Sequence, residues 1–267
     1  PLNQWDTSKV TTMESMFSNA TSFNQSLNHW NTSNVTTMKS MFINAKNFNQ
    51  PLDNWNTINV TNMEAMFINT RNFNQSLNEW NTSNVTNMKS MFYSSSSFNQ
   101  PLNHWNTSKV TNMSFMFTNA TSFNQPFIFN NDDSDDDEPL NQWDTSNVIN
   151  MEYMFNNALV FNQLLNQWNT INVTNMRHMF AGAAAFNQPL DGNWNTSNVI
   201  DMSYMFFHAT SFNQSLNHWD TTNVTNMNSM FYNATSFAQP INNWNTSNVI
   251  DDRFMFDNTN YYENLNL

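Results

Sequence analysis

Acidic side chains in one short run come closest to a ligand site by residue type and spacing. The run lies in an insertion at residues 126–138 and contains Asp132, Asp133, Asp135, Asp136, Asp137 and Glu138. Clustered carboxylate oxygens suit calcium, but the run lacks the glycine turn and the spaced ligands of an EF-hand. Runs of like charge are more often solvated loops. We therefore predict an acidic loop and keep a calcium site at these six residues as the alternative.

Histidines and hydroxyls offer no catalytic arrangement. The five histidines stand at positions 29, 104, 178, 208 and 218, and three of them precede a tryptophan. They are too scattered for a metal site or a catalytic pair. No Ser/His/Asp set, phosphate loop or paired-carboxylate site stands out from the background. Catalysis needs a unique cluster, whereas this chain is nearly periodic, so we predict no enzyme activity, no catalytic residue and no cofactor.

Tryptophan spacing defines the period. The ten tryptophans stand 25 residues apart, except for one spacing of 38 that contains the acidic insertion and one of 26 near Gly192. In repeat proteins of this kind one unit cannot bury its own apolar face, so neighbours must stack. We predict a single domain over residues 1–267 built from ten repeats. These begin at Pro1, Ser26, Pro51, Ser76, Pro101, Pro139, Leu164, Pro189, Ser215 and Pro240.

Each repeat is expected to contain a short helix and a short strand. Apolar residues three or four positions apart indicate one face of a helix, preceded by Thr11 or Thr12 as N-cap. Residues 23–30 form an extended segment, and residues 31–34 carry turn chemistry. The predicted fold class is therefore an α/β repeat solenoid, leucine-rich-repeat-like, with ten turns and a parallel sheet on the concave side. The helical face in the first repeat is Val10, Met13, Met16, Phe17 and Ala20.

Columns of identical residues point to core and to contacts between turns. All 19 methionines fall at the two methionine positions of the repeat, which favours core over a soft-metal site. The tryptophan column is expected to form an aromatic stack rather than a sugar platform. Asparagine, glutamine and threonine stand in columns instead of runs, so we predict hydrogen bonds from turn to turn rather than an amyloid-prone tract.

Composition excludes several functions. The net charge is −12, and eight lysines and arginines spread along the chain make no basic patch, so we predict no nucleic-acid binding. No apolar stretch approaches the ~18 residues of a membrane span. Cysteine is absent, which carries little information about the compartment. The chain starts in mid-motif at Pro1, which suggests a processed product or a piece of something longer.

The repeated phrase carries a family likeness. FNQ, W-[DN]-T-S-N-V-T-N-M and M-F recur in ten units, and this 25-residue unit closely resembles the repeat of BspA-like leucine-rich-repeat surface proteins. The resemblance implies an exposed, non-enzymatic scaffold found on cells, in secretions or on virions and linked to adhesion. The acidic insertion departs from the pattern, and no anchor or signal stands within these residues.

Sequons are frequent because the repeat itself writes them. If the chain passes through a secretory pathway, exposed sequons are expected to carry glycan. The candidates are Asn19, Asn34, Asn84, Asn119 and Asn233.

These patterns predict a non-enzymatic structural or adhesive scaffold, extracellular or on a cell or virion surface, and are compatible with its being part of a longer fibre. Self-association and contacts with other surface proteins or glycans are the expected partners. The alternative is a recognition module that binds a protein or glycan through the solenoid surface. A lateral partner contact is expected where residues vary most, at pairs such as Ser18-Asn19, Ile43-Asn44, Tyr93-Ser94 and Phe207-His208. A third hypothesis, an ice- or mineral-binding array, rests on the threonine column.

Overall fold

The computed structural model describes residues 2–127 and 143–261. The predicted α/β fold class is wrong. Within the described ranges the one helix is a 3-10 turn at Leu2–Gln4, and the parallel pairings are single bridges between successive turns, which form no sheet. The bridged residues stand at one equivalent position per turn. They are Thr12, Thr37, Asn62, Asn87, Asn112, Asn150, Asn175, Asp201, Asn226 and Asp251.

Consecutive β-turns replace the predicted helix. In the fourth repeat, Met91 N donates to the Met88 carbonyl at 3.2 Å and Ser95 N donates to the Phe92 carbonyl at 3.0 Å. The third residue of each turn, Ser90 and Ser94, has a φ of 57° and 56°. A positive φ at that position defines a type II turn and cannot belong to a right-handed α-helix. The methionines therefore lie at successive corners of the chain.

Bonds to the next turn explain why this conformation holds. The amides of Met88, Ser90 and Phe92 donate at 2.9–3.1 Å to carbonyls 24 residues further on, and the amides between them bond locally. Every second N–H therefore bonds to a carbonyl of the next repeat. In an α-helix the same N–H groups would bond to carbonyls four residues earlier in the same segment. A non-glycine residue at positive φ costs roughly 1–2 kcal/mol, which the inter-turn bonds offset.

Thr12 and its equivalents do not cap a helix. Their side chains accept from the amide two residues on, as Asn87 Oδ1 does from Lys89 N at 3.0 Å.

Asparagine side chains join the turns where the backbones do not meet. Asn74 Oδ1 accepts from Asn99 N at 2.9 Å and from Gln100 Nε2 at 3.1 Å. The same pair of bonds recurs in the other described turns, for example onto Asn49. The amide column predicted to bond from turn to turn does so, with asparagine accepting and glutamine donating.

Tryptophan and threonine complete the side-chain bridges. Trp105 Nε1 donates to the carbonyl of Leu77 at 2.8 Å, and Thr82 Oγ1 donates to the carbonyl of Asn106 at 2.9 Å. Each bond joins two neighbouring turns, and its acceptor is a backbone carbonyl. The repeated letters of this half of the unit therefore replace a β-ladder with side-chain contacts.

Aromatic rings fill the core in files that follow the stack. Ring centroids are 6.2 Å apart between Trp55 and Trp80 and 5.6 Å apart between Phe67 and Phe92, with nearly parallel planes. The predicted tryptophan stack is present. Backbones joined by hydrogen bonds lie ~4.8 Å apart, and the ring centroids of both files are further apart than this.

Gly182 occupies the second positive-φ position of its repeat, which is equivalent to Asn19 in the first repeat. Asparagine fills this position in most described turns and tolerates the left-handed conformation better than other side chains. Gly182 has a φ of 69°, and a Cβ there would meet the side-chain oxygen of Asn157, a flexible atom. In other turns neighbouring asparagines bond to each other, as Asn69 Nδ2 does to Asn44 Oδ1 at 2.6 Å.

We expect Gly182→Ala to lower the free energy of unfolding by about 1 kcal/mol, since alanine gains no bond to offset its positive φ. Gly182→Asn should cost less or stabilise the fold, because the new amide can donate to Asn157. Urea unfolding of both variants checks this, and equal losses would contradict the asparagine ladder.

Candidate interaction surfaces

The calcium alternative and the histidines were the residues of interest for metal binding and catalysis. The six acidic residues of the calcium alternative, at 132–138, lie outside the described residues. Within residues 2–127 and 143–261, no group of three or more histidines, aspartates or glutamates is placed to hold a metal ion. His104 Nδ1 lies 3.2 Å from Glu79 Oε1 in an exposed pair. The remaining histidines stand on separate turns.

The five glycosylation candidates have their amide nitrogens in hydrogen bonds within the protein. Asn34 Nδ2 donates to the Ser8 carbonyl at 2.7 Å, and Asn84 Nδ2 donates to the Ile58 carbonyl at 2.8 Å. Asn19, Asn119 and Asn233 contact neighbouring side chains through theirs. A glycan would occupy that same nitrogen. A second set of sequons was missed by the sequence reasoning and has exposed asparagines whose Nδ2 makes no bond in the described structure. This set is Asn31, Asn81, Asn106, Asn195 and Asn245.

The bridged face is the solvent-facing side of residues 12–19 and their equivalents. Its side-chain types differ between the first and second halves of the chain. The first four repeats carry a small side chain at the equivalent of Ser15 and a charged side chain at the equivalent of Glu14. Lys39 Nζ lies 3.2 Å from Glu64 Oε2, an ion pair that contributes about 0–1 kcal/mol at this exposure. Lys89 instead lies over the ring of Phe115, 5.9 Å from its centre, at the start of the second half.

An aromatic row follows on the same face. It consists of Phe115, Tyr153, His178 and Tyr204, whose ring centroids are 4.7, 4.3 and 4.4 Å apart with planes within 10°. The rings are half-buried and present their edges to solvent, because their faces cover one another. Phe207 and Tyr232 form a second stacked pair beside it at 5.2 Å. Sequence reasoning had marked Phe207 as variable but had missed the row. The signal that could have found it is the run of aromatic residues at one equivalent position in four consecutive repeats.

His178 gives the row a pH dependence. Burial lowers its pKa from 6.5 to about 4, helped by the positive charge of Arg177 and opposed by Asp201. The folded state therefore disfavours the protonated imidazole, so stability is fully present above pH 6.5 and falls as the pH drops toward 4. We expect His178→Phe, which keeps a stacking ring as Phe115 does, to remove this part of the pH dependence.

Unfolding free energies of the two proteins between pH 7 and pH 4 are the measurement, and parallel curves would contradict the assignment. Asp251 titrates in a separate window. Hydrogen bonds from Arg253 hold its pKa far below its ordinary value, so its contribution is lost only at more acidic pH.

The amide–threonine face, defined by the equivalents of Asn34 and Thr36, is the most regular surface. Eight asparagines each donate Nδ2 to a carbonyl one turn earlier, at 2.7–2.8 Å, and the adjacent threonines donate Oγ1 to a carbonyl of the preceding turn at 3.1–3.4 Å. These bonds hold every side chain in one orientation. An open trough of about 490 Å³ runs between the two files. It is lined by Asn172, Thr174, Asn198, Ile200, Asn223 and Thr225.

Stacked, near-identical turns with repeated surfaces define a tandem-repeat protein. Four overlapping stretches, residues 1–79, 51–136, 127–216 and 191–266, match the family described as "Mycoplasma protein of unknown function, DUF285". The chain belongs to this family. The match confirms a repeat family and leaves the likeness to BspA-like leucine-rich repeats unconfirmed. No curated protein and no solved structure matches the chain. Within the described residues, none of the helical structure is long and apolar enough to cross a membrane.

Proposed function

We propose that this protein is a non-enzymatic scaffold that displays its repeated surfaces outside a cell or on a virion and mediates adhesion. The observation that supports this proposal is that the same contacts between neighbouring turns recur along the chain. The same asparagine, tryptophan and threonine bonds join successive turns throughout the described chain, and the chemistry of each face extends over several turns. Such an arrangement builds an extended platform, whereas catalysis depends on one asymmetric cluster.

Charge and regularity support an exposed role. The chain carries a net charge of −12, which opposes self-precipitation and binding to nucleic acid. Its stability derives from stacked rings and inter-turn hydrogen bonds, without any cysteine. A structure of this kind suits a reducing or an oxidising environment equally.

Labelling of intact source cells or particles tests the exposed location. A membrane-impermeant amine reagent and an antibody against the folded repeats should both reach the protein before lysis. Beads coated with the protein should adhere to surfaces that uncoated beads do not bind. Labelling that appears only after lysis would contradict the proposal, and electron microscopy of the native material would show whether the protein forms fibres.

A second candidate function, recognition of one protein partner, is favoured by the aromatic row. Half-buried aromatic edges that continue over four turns of a repeat stack provide the type of surface that repeat proteins use for contacts. Tyr153→Ser and Tyr204→Ser restore the small residue of the first four repeats at this position. A partner captured by the wild type and lost with these variants would support recognition. Unchanged capture would count against the row as the contact.

A further inference from the structure

The second half of the amide–threonine face alternates in a way that the first half does not. At the equivalents of Thr36, the first five described turns all carry threonine. The following turns carry Ile149, Thr174, Ile200, Thr225 and Ile250. The three isoleucines are exposed, and their side chains stand on every second turn. Because hydrogen-bonded turns lie ~4.8 Å apart, the isoleucines repeat about every 9.6 Å.

The neighbouring file presents hydrogen-bond acceptors. Asn172, Asn198 and Asn223 each use Nδ2 to bond a carbonyl of the preceding turn at 2.7–2.8 Å, so Oδ1 is left to accept from outside. The chain itself shows that such an oxygen takes a donor. In the first half, Lys109 Nζ donates to Asn84 Oδ1 at 2.7 Å across one turn. In the second half, asparagine fills the equivalent position in every turn, and these oxygens remain open to a ligand.

The trough between the two files therefore has a definite chemical character. One wall offers an acceptor on each turn and the other offers an aliphatic side chain on every second turn. Its lining residues carry no formal charge, although the whole protein has a net charge of −12. A charged polymer would find no counter-charge here, which favours a neutral ligand rich in hydroxyl donors.

We propose that this trough binds an extended, neutral β-1,4-linked glycan lying along the stack. Each ring of such a glycan is turned over relative to the last, so every second ring presents the same face. Each ring also advances the chain by a length close to the ~4.8 Å spacing of bonded turns. Hydroxyls would donate to the asparagine oxygens while the apolar ring faces contact Ile149, Ile200 and Ile250. The proposal rests on the scaffold function and names one class of ligand for it.

The test uses the full chain and two matched variants. Ile200→Lys places a charge in the trough at a side chain that is 50% exposed. Leu159→Lys makes the same change at a side chain that is 46% exposed and lies outside the amide–threonine face. Both variants should melt at the temperature of the wild type, since neither side chain belongs to the core. Binding is measured by calorimetry with cellohexaose, chitohexaose and maltohexaose, and by depletion on microcrystalline cellulose and chitin beads.

We expect one or both β-1,4-linked ligands to bind. The α-linked maltohexaose should bind at least about tenfold more weakly than they do. Ile200→Lys should weaken binding by about tenfold or more because it buries a charge against a neutral ligand, and Leu159→Lys should not. Comparison of the cellulose-type and chitin-type ligands shows which substituent on the sugar ring the trough accepts. Failure of both β-linked ligands, equal binding of maltohexaose, or equal loss in both variants would each overturn the proposal. Adhesion and surface labelling that persist without glycan binding would leave the scaffold function standing.

Discussion

Trp105→Ala is expected to reduce the free energy of unfolding by about 3–5 kcal/mol, the range measured for removal of a buried large aromatic side chain. Trp105 is 2% exposed, stacks on Trp143 at 6.3 Å and bonds the Leu77 carbonyl through Nε1. Alanine would leave a cavity and remove the bond to the neighbouring turn, and the Leu77 carbonyl would keep only its bond from Trp80 N at 3.1 Å. Trp105→Phe keeps one aromatic ring and removes the bond from Nε1, so we expect a smaller loss, of which the hydrogen bond accounts for about 0.5–1.5 kcal/mol.

The position of Trp105 also affects how the protein unfolds. Stability in a stacked repeat protein is approximately a sum over repeats and their interfaces. A defect in the middle should therefore split one cooperative transition into two. Urea unfolding, followed by fluorescence and by circular dichroism, measures both effects. Trp5→Ala is the control, because Trp5 is 58% exposed and should cost less than about 1 kcal/mol. Similar losses at both positions would contradict the tryptophan bridge.

Asn74→Leu is the second change with a large expected effect. It removes the oxygen that accepts from Asn99 N and Gln100 Nε2. Two donors lose their partner, and at about 1–3 kcal/mol for each buried donor the expected loss is about 2–4 kcal/mol, because this position is only half-buried. Leucine has a similar volume, so packing changes little.

Asn74→Asp separates the hydrogen bonds from the shape of the side chain. Aspartate keeps the acceptor oxygen at Oδ1, so its cost should be limited to about 1 kcal/mol from repulsion in an acidic protein. Hydrogen exchange at the Asn99 amide should accelerate in the leucine variant and remain slow in the aspartate variant. If leucine and aspartate cost the same, the side-chain bridge makes no difference to stability.

The period, the core files and the amide contacts could be predicted from the sequence, because each depends on the type of residue at a repeated position. Gln100 and Asn74 stand in columns, and columns of amides must bond between turns if they are to be satisfied. Tryptophan stacking followed in the same way from one large ring per turn. Residue type was enough for these features.

The helix was wrong for a physical reason. Met13, Met16, Phe17 and Ala20 follow one another at spacings of three and four, which fits a helix of 3.6 residues per turn. The same spacing arises from two successive four-residue turns, 13–16 and 17–20, that place these side chains at corners facing the core. Periodicity alone cannot separate the two. The signal that could have done so is the column of Asn19 and its equivalents, with Gly182 in it, because asparagine and glycine share a tolerance of positive φ.

The surfaces were predictable only in part. Variation at Phe207 had indicated a contact region. The run of aromatic residues at one equivalent position could have indicated the row as well, but the stacking itself depends on rings at positive φ being held over one another. The fixed orientation of Asn198 and Thr225 likewise follows from bonds to carbonyls of the preceding turn. Those bonds exist only because the backbones on this side are joined directly.

A triple change, Ser15→Gly, Ser40→Gly and Ser90→Gly, tests most directly that each repeat is a chain of turns rather than a helix. All three serines have a φ between 56° and 59°, where glycine avoids a cost of roughly 1–2 kcal/mol per residue. We predict that the free energy of unfolding rises, while Ser18→Gly, outside the positive-φ positions, lowers it by about 0.5–1 kcal/mol. A helix would be destabilised at all three sites. A clear fall in the unfolding free energy of the triple variant would contradict the turn-based fold.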